Sequence, residues 1–342
     1  GTTVGTSELK NIANDNPASV YYQNSVTGRF AHANGKLFLR AENVTAASYS
    51  LYGTSGSAAS STKLNEFLGT DNNLIQAKDA VNAGGTIYFA FSNTANGNEL
   101  WKSDGTLAGT AMLKDINPSG SSFAEYFYNH NGIVYFSASN GVNGAELWKT
   151  DGTAAGTVMV KDINPGSGKS APAQFISFNG EVYFTANYGT NGTELWKTNG
   201  TEAGTLMVKD IYTGTQPGLN NGDVFGGNYF TVLGNQLVFS ARASSASSEL
   251  WKTDGTLAGT QLIKAVKDIS YITAVGSKVY FAGAGTAYDK ELWVSDGTNL
   301  GTNMVTDINP GPDPSSPHSL ITFNGPLPLP AFHTATGFEL WT

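Results

Sequence analysis

One tripeptide, Glu-Leu-Trp, recurs along this chain and constrains its fold more than any other feature. It occurs six times and accounts for all six Trp residues of the 342-residue sequence. The copies end at Trp101, Trp148, Trp196, Trp251, Trp293 and Trp341. The intervals are 47, 48, 55, 42 and 48 residues, and a diverged seventh copy, Ser50-Leu51-Tyr52, lies 49 residues before Trp101. A period of this length indicates a repeated supersecondary unit.

Each repeat contains four short segments rich in β-branched and aromatic residues. The unit from Ala173 to Ile211 reads AQFISF, EVYFTAN, TELWKT and LMVKDI, separated by Asn179-Gly180, YGTNG and NGTEAGT. Asn-Gly between two such segments is typical of a two-residue hairpin turn, because both positions need a positive φ. The alternation has period two, and no stretch shows a sustained helical period. Four strands in each of seven repeats predict a β-propeller.

The two ends of the chain match complementary parts of one repeat. The sequence stops at FELWT, just before the expected DGT turn, whereas its first twelve residues, GTTVGTSELKNI, align with GTAAGTVMVKDI from Gly152 onward. We therefore predict that Gly1–Ile12 forms the outermost strand of the last blade and closes the ring. The predicted fold is a single all-β domain over residues 1–342. It is a seven-bladed β-propeller of four-stranded antiparallel blades, with repeats of about 49 residues.

The repeated motif resembles the ELWxxDGT repeat family of bacterial secreted and surface proteins. The best matches are ELWKSDGTLAGT from Glu99, ELWKTDGTAAGT from Glu146, ELWKTNGTEAGT from Glu194 and ELWKTDGTLAGT from Glu249. The resemblance covers nearly the whole chain. It implies a β-propeller in an extracellular or cell-surface setting, as part of a larger surface protein or assembly, and it implies no reaction and no catalytic residues.

The composition excludes several classes of function. Only 13% of the residues are charged and the net charge is −8, which argues against a nucleic-acid binder, because such proteins need Lys and Arg to displace counterions. The absence of Cys excludes disulfides, thiolate metal sites and cysteine nucleophiles. No apolar run approaches the roughly 20 residues that span a bilayer. The spacing of a calcium loop is absent as well, so we predict no cofactor and no metal, and a structural calcium ion stays open without a motif to support it.

Polar residues that recur once per repeat favour structural roles. We interpret the Asp of DGT as a turn residue that accepts local backbone N–H groups, and the Asp of KDI as an anchor of the crossover to the next blade. The Glu of ELW and the Lys of the outer strand are predicted to pair between strands or blades. The Trp residues are predicted to pack between neighbouring blades, with an exposed stacking platform for sugars as the alternative. Pro326, Pro328 and Pro330 remove donors from one side of a strand, which predicts a distorted or partly unpaired strand in the last repeat.

The predicted binding surface consists of variable loops on one face. In a four-stranded meander, the loops before each ELW share a face with the connections between blades, and variable loops on a rigid framework are where proteins commonly bind. The candidate ligand-binding residues in these loops are Tyr188, Tyr212, Asp223, Phe225, Asp71, Asp313 and His318.

The function expected from these patterns is non-enzymatic. The chain would be an extracellular recognition or scaffold module that binds a glycan or a protein partner through its loop-rich face, with no nucleic acid and no membrane span. One alternative is an extracellular enzyme acting on polysaccharide, with two carboxylates at the central mouth drawn from residues such as Asp223, Asp71 or Asp313. The other alternative is a structural component of a surface layer or filament.

Overall fold

Antiparallel β-sheets account for almost all the regular structure. The computed structural model describes residues 31–43, 48–55, 62–68, 80–219, 229–244, 248–285, 289–320 and 327–341. The chain divides into two compact units, Gly1–Ala171 and Pro172–Thr342. Within the described ranges, helical structure is limited to a 3-10 turn at Gly189–Asn191. No helix in those ranges has the length and apolar character to cross a membrane.

The first unit contains three four-stranded sheets whose strands follow chain order. The strands are β1 (Ala31–Ala33), β2 (Lys36–Asn43), β3 (Ser48–Thr54), β4 (Thr62–Leu68), β5 (Val81–Ala83), β6 (Thr86–Asn93), β7 (Gly97–Ser103), β8 (Ala111–Lys114), β9 (Glu125–His130), β10 (Ile133–Ala138), β11 (Glu146–Thr150) and β12 (Val158–Lys161). Strands β1–β4 are named sheet 1, β5–β8 sheet 2 and β9–β12 sheet 3.

The second unit contains three more four-stranded sheets and one sheet with two described strands. The strands are β13 (Ala173–Phe178), β14 (Glu181–Asn187), β15 (Thr193–Thr198), β16 (Leu206–Lys209), β17 (Phe230–Leu233), β18 (Gln236–Ala241), β19 (Glu249–Thr253), β20 (Gln261–Lys264), β21 (Lys267–Val275), β22 (Lys278–Ala284), β23 (Lys290–Ser295), β24 (Asn303–Thr306), β25 (Leu329–His333) and β26 (Gly337–Trp341). They form sheet 4 (β13–β16), sheet 5 (β17–β20), sheet 6 (β21–β24) and sheet 7 (β25–β26).

This series of sheets confirms the prediction of an all-β, propeller-like chain. The ELW motif forms the third strand of sheets 2–6, as the repeat pattern indicated. Asn34, Asn131 and Asn179 have φ angles of 50°, 52° and 50°, which the predicted Asn-Gly hairpins require. The predicted closing strand, Gly1–Ile12, lies outside the described residues, so closure stays a prediction.

Within each unit, Trp side chains pack between successive sheets. Trp101 lies in one apolar cluster with Phe38 and Leu64 of sheet 1, and Trp148 lies in another with Leu100 of sheet 2. Both indoles are buried, at 7% and 6% exposure, which confirms the packing prediction for them and excludes a surface platform for sugars there. Burial of a large apolar side chain contributes about 1.5–3 kcal/mol, so this stripe is a major source of stability.

The Lys of the outer strand connects its own sheet to the next one. Lys114 Nζ donates a hydrogen bond to the backbone oxygen of Thr157 at 2.6 Å, and Lys209 Nζ donates to that of Thr260 at 2.8 Å. Both acceptors lie just after the DGT turn of the following sheet. The predicted pairing between blades is therefore confirmed for these Lys residues, although their partners are carbonyl groups rather than the Glu of ELW.

The last repeat departs from the pattern near its prolines. Strand β25 begins at Leu329, whereas alignment with β14 would start it at Pro326. A connecting segment contacts β25, because His318 donates its N–H to the Pro330 oxygen at 3.3 Å and Phe332 donates its N–H to the Ser315 oxygen at 2.8 Å. The shortened strand agrees with the predicted distortion.

Candidate functional site

The Glu of ELW is buried and holds the connection to the next sheet. Glu146 Oε2 accepts hydrogen bonds from the Ile163 N–H at 2.7 Å and the Ser170 hydroxyl at 2.6 Å, while Oε1 accepts the Ser170 N–H at 3.0 Å. The arrangement is named here the glutamate bracket. It recurs at Glu99, Glu194 and Glu291, each bonded to N–H groups 17 and then 23 or 24 residues later. The Glu is therefore the main anchor of the crossover, a role that the sequence assigned to the Asp of KDI.

The Asp of KDI makes a second recurring contact, to the loop before ELW. An Asn three residues before the Glu donates its side-chain N–H to this Asp. The pairs are Asn96–Asp115 at 2.8 Å, Asn143–Asp162 at 2.6 Å and Asn191–Asp210 at 2.6 Å. The contact confirms that the loop before ELW and the following crossover lie at the same end of sheets 2, 3 and 4.

The Asp of DGT has the turn role that the sequence indicated. Asp104 Oδ1 accepts the Thr106 N–H at 2.8 Å and the Thr106 hydroxyl at 2.7 Å. These bonds, the hydroxyl first, lower the pKa of Asp104. The same pair of bonds is made by Asp151, Asp254, Asp296 and Asn199. Because Asn199 replaces the acid without loss of the bonds, the charge is not needed at this position.

Among the described residues, sheet 6 alone brings three acidic side chains together. Asp289, Glu291 and Asp307 each offer a carboxylate oxygen, and these oxygens all lie within 4.8 Å of one another. Asp289 stands two residues before the Glu of ELW, at a position that is Gly in four other copies, Gly97, Gly144, Gly192 and Gly337. Glu291 is fully buried. The cluster is therefore specific to one repeat.

The electrostatics of this cluster are unfavourable without a positive charge. Burial raises the pKa of Asp289 to about 6, followed by the negative charge of Glu291, a hydrogen bond with the Glu291 carboxyl group and the negative charge of Asp307. Asp289 Oδ1 is buried and has no hydrogen-bond partner in the described part of the chain. Three oxygen donors with no His or Cys suit a hard cation such as Ca²⁺ or Mg²⁺. Sequence reasoning missed the cluster, and the signal that could have found it is the acid at a Gly position.

Two of the predicted ligand-binding residues lie in loops next to the strands of sheet 4. Tyr212 donates its N–H to Glu194 at 3.3 Å, and the Arg242 guanidinium lies 5.9 Å from the centre of its ring. Tyr188 is exposed, and its ring centroid lies 6.0 Å from that of Trp196. Both contacts involve the ELW segment of that sheet. Binding by these two residues stays a prediction.

Two other predicted residues lie in the connection after β24. Asp313 is exposed, and its backbone oxygen accepts a hydrogen bond from Asn309 at 2.9 Å. The His318 ring lies 6.3 Å from that of Tyr271 and 6.1 Å from that of Phe338. The remaining candidates, Asp71, Asp223 and Phe225, are outside the described ranges, so all seven residues stay predictions.

We expect the fully buried Glu194 to make stability depend on pH. Burial is the main cause that raises the pKa of Glu194 from 4.5 to about 7, and the nearby negative charge of Asp210 adds to it. Hydrogen bonds from backbone N–H groups lower the pKa but do not outweigh burial. A carboxyl group whose pKa is higher in the folded state contributes its full stabilisation at pH values below its pKa in the unfolded state. That contribution is lost as the pH rises through its pKa in the folded state. The free energy of unfolding of the wild type should therefore fall by about 1–3 kcal/mol between pH 4.5 and 7 from this group.

The measurement is urea unfolding across this pH range for wild type, Glu194→Gln and the exposed control Glu202→Gln. Glu194→Gln should lessen the decline by this amount, whereas Glu202→Gln should leave it unchanged. Burial also raises the pKa of Glu99 and Glu146, so the rest of the decline should remain. The other charges near Glu194 are Asp210 and, over the Tyr212 ring, Arg242, and all three variants keep them. Parallel profiles for wild type and Glu194→Gln would contradict the prediction.

Comparisons with known proteins identify no family. No family model matches the chain, and no curated protein matches it. Solved structures with a similar fold include a prolyl endopeptidase, 13% identical, covering 92% of this chain and 49% of that one with a TM-score of 0.48. A puromycin hydrolase is 12% identical, covering 89% and 50% at a TM-score of 0.46. A puromycin-hydrolyzing peptidase from Mycobacterium tuberculosis is 11% identical, covering 89% and 57% at 0.41.

These structures bear on the fold and on one prediction. The chain spans about half the length of the solved structures it matches. At these identities the likeness concerns the fold alone, which is β-propeller-like. The prediction of a non-catalytic recognition or scaffold module is contradicted by these solved structures, which are of peptidases, although a likeness of this size assigns no activity to this chain. Neither a glycan nor a protein partner is supported.

Proposed function

We propose that this chain is a β-propeller domain that binds a divalent cation, with Ca²⁺ as the fitting ion. The observation that carries the proposal is the placement of Asp289, Glu291 and Asp307, whose carboxylate oxygens lie within 4.8 Å of one another. The buried Asp289 Oδ1 is left without a hydrogen-bond partner among the described residues. A hard divalent cation would supply a partner for that oxygen, and its two positive charges would offset most of the charge of the three carboxylates.

The sister sheets support the proposal by contrast. In sheet 3 the Asn143 amide donates a polar hydrogen to Asp162, so a dipole faces that carboxylate. In sheet 6 the residue at the Asn position is Tyr288, and the next residue, Asp289, adds a carboxylate. This repeat therefore lacks the Asn of sheets 2, 3 and 4 and has an acid where they have Gly. The added carboxylate of Asp289 increases the negative charge beside Asp307, which favours a bound cation there.

The donor set also favours a particular ion. Ca²⁺ takes about six to eight oxygen ligands at roughly 2.3–2.6 Å in flexible geometry, and carboxylates bind it through one or both oxygens. Asp307 is exposed, which leaves room for water to complete the shell. Extracellular calcium modules bind at about 10⁻⁴–10⁻³ M. A dissociation constant in this range is what we expect for a calcium site in an extracellular or cell-surface protein, the location that we propose from the ELWxxDGT resemblance.

We also propose the finer fold, a seven-bladed propeller closed by the N-terminal strand. Sheet 7 has two described strands, and its ELW strand β26 pairs with β25. In sheets 2–6 the corresponding strand also pairs with a fourth, outer strand. The first twelve residues match the sequence of that outer strand, with Lys10 at the position of Lys161.

The test is thermal unfolding in CaCl₂ and in EDTA for wild type and Asp289→Asn. Ligand at about 100 times its dissociation constant stabilises a protein by about 2.7 kcal/mol, so the wild type should unfold at a higher temperature in CaCl₂. Asp289→Asn should lose this shift, and calcium titration calorimetry should show the same loss. The matched control is Asp296→Asn, which removes the same charge from the same sheet and should keep the shift, because Asn199 makes the equivalent turn bonds in sheet 4.

A different outcome would assign the cluster to proton sharing. Wild-type protein would then unfold at the same temperature in CaCl₂ and EDTA, and calorimetry would show no calcium heat. Asp289→Asn would be more stable than wild type in both solutions, because it removes a repelling charge. That result would overturn the proposed function.

A further inference from the structure

We infer that Met304 is a sacrificial oxidation site. Its thioether reacts with a two-electron oxidant such as hypochlorous acid before the neighbouring indole of Trp293 does, and it thereby protects that indole. The inference is independent of the proposed cation site. It concerns the position opposite the Trp of ELW on the outer strand, which neither the glutamate bracket nor the acidic cluster involves.

All four Met residues of the chain lie directly opposite the Trp of an ELW motif. The register pairs are Trp101–Met112, Trp148–Met159, Trp196–Met207 and Trp293–Met304. In sheet 5, Leu262 occupies this position, opposite Trp251. Residues directly opposite each other in an antiparallel pair share one face of the sheet, with Cβ atoms about 4.5–5.5 Å apart. Each Met side chain is therefore a neighbour of an indole in its own sheet.

Sheet 6 contains the most exposed of these four pairs. Met304 is 43% exposed, whereas the other three Met residues are half-buried. The indole of Trp293 is half-buried, whereas the ELW indoles of sheets 2–5 are buried, at 5–7% exposure. A dissolved oxidant therefore reaches both members of the pair in sheet 6 more easily than those of the other pairs, and it meets the more exposed Met304 first.

The reaction at Met304 needs only the thioether and the oxidant. The sulfur is polarizable, and its oxidation gives methionine sulfoxide. With hypochlorous acid, the sulfur gains one oxygen atom and loses two electrons. The chlorine atom takes both electrons and leaves as chloride, and the proton of the acid passes to the solvent. Each oxidant molecule consumed in this way is no longer present to attack Trp293.

The surroundings of Met304 tolerate the sulfoxide. Oxidation turns a flexible apolar side chain into a polar one and disrupts packing where the residue lies in a core. All four residues of β24 are exposed, so the new oxygen at Met304 can remain hydrated. Met159 instead packs against the apolar cluster that contains Trp148, where the same oxygen would disturb the packing. Sheet 6 therefore provides a position where oxidation costs little stability.

Peptide mass spectrometry of the folded chain after brief treatment with hypochlorous acid tests the order of oxidation. With about one molar equivalent of oxidant, Met304 should carry the added oxygen at least about five times as often as any of the other three Met residues. The thermal unfolding midpoint of this singly oxidised protein should stay within about 1 °C of the untreated protein. Similar oxidation of all four Met residues, or faster oxidation of another one, would overturn the inference.

The protection of Trp293 is tested with Met304→Leu, which copies Leu262 of sheet 5 and keeps an apolar side chain opposite the indole. At equal oxidant, the fraction of Trp293 that gains oxygen should rise at least about threefold over wild type. The matched control is Met159→Leu, which removes one thioether from another sheet and should leave Trp293 oxidation unchanged. No rise in Met304→Leu would overturn the protection. An equal rise in both variants would overturn it as well, because it would mean that any Met of the chain merely lowers the oxidant concentration in solution.

Discussion

Glu146→Ala is expected to lower the free energy of unfolding by about 2–4 kcal/mol. The variant removes the common acceptor of the Ile163 N–H, the Ser170 N–H and the Ser170 hydroxyl. Glu146 and Ser170 are fully buried, so water does not replace the lost acceptor without rearrangement. The Ile163 N–H would be left as a buried donor without this acceptor, at a cost of about 1–3 kcal/mol. The Ser170 N–H and hydroxyl would each lose one acceptor but keep the Ala145 oxygen, at 3.0 and 3.2 Å, so their loss adds about 1 kcal/mol.

Two further variants separate this effect from charge and from surface pairing. Glu146→Gln keeps one acceptor oxygen and the side-chain volume, so it should cost less than Glu146→Ala. Glu181→Ala removes an ion pair with Lys197 at 3.0 Å whose side chains are partly exposed, and such pairs contribute roughly 0–1 kcal/mol. Urea midpoints at constant slope give the three values. Equal losses for Glu146→Ala and Glu181→Ala would contradict the bracket as a source of stability.

The sequence predicted the repeated sheets because their pattern is local. Strand alternation and hairpin turns each depend on residues within about ten positions, so Asn179-Gly180 and the flanking segments could be read directly. The Trp packing followed from one large apolar side chain per repeat. The partners of Glu146 could not be read in this way, because they are backbone N–H groups 17 and 24 residues away and carry no residue signature.

The acidic cluster shows a second limit of sequence reasoning. The recurring acids were interpreted as structural, and the cation site that we propose lies where one repeat departs from the others. Asp289 lies outside the recurring positions, and its closeness to Asp307 depends on pairing between β23 and β24, where Leu292 faces Thr306. The prediction of a non-catalytic module was wrong because it, too, considered only general features of the sequence. It rested on composition and on the lack of catalytic motifs, and neither describes how a propeller-like domain is used.

The glycine two residues before the Glu of ELW is required in sheet 4 by its backbone conformation and by the crossover that lies against it. Gly192 has a φ of 68°, a conformation that side chains disfavour. A Cβ there would also lie 2.3 Å from the backbone oxygen of Gln216, which belongs to the crossover held by Glu194. In sheet 4 the crossover backbone lies against this loop, so a Cβ at Gly192 would have to displace Gln216.

Gly192→Ala should therefore lower the free energy of unfolding by about 2–4 kcal/mol. A positive φ for Ala costs about 1–2 kcal/mol, and overpacking against backbone adds about 1–3 kcal/mol. Gly180→Ala in the same sheet is the matched control, because Gly180 has a φ of 79° and no atom within 4 Å of its built Cβ. It should show the conformational cost alone. Urea unfolding of both variants gives the difference, which measures the crowding by the crossover. Equal losses would mean that the crossover moves aside freely, and the glutamate bracket would then not hold it in place.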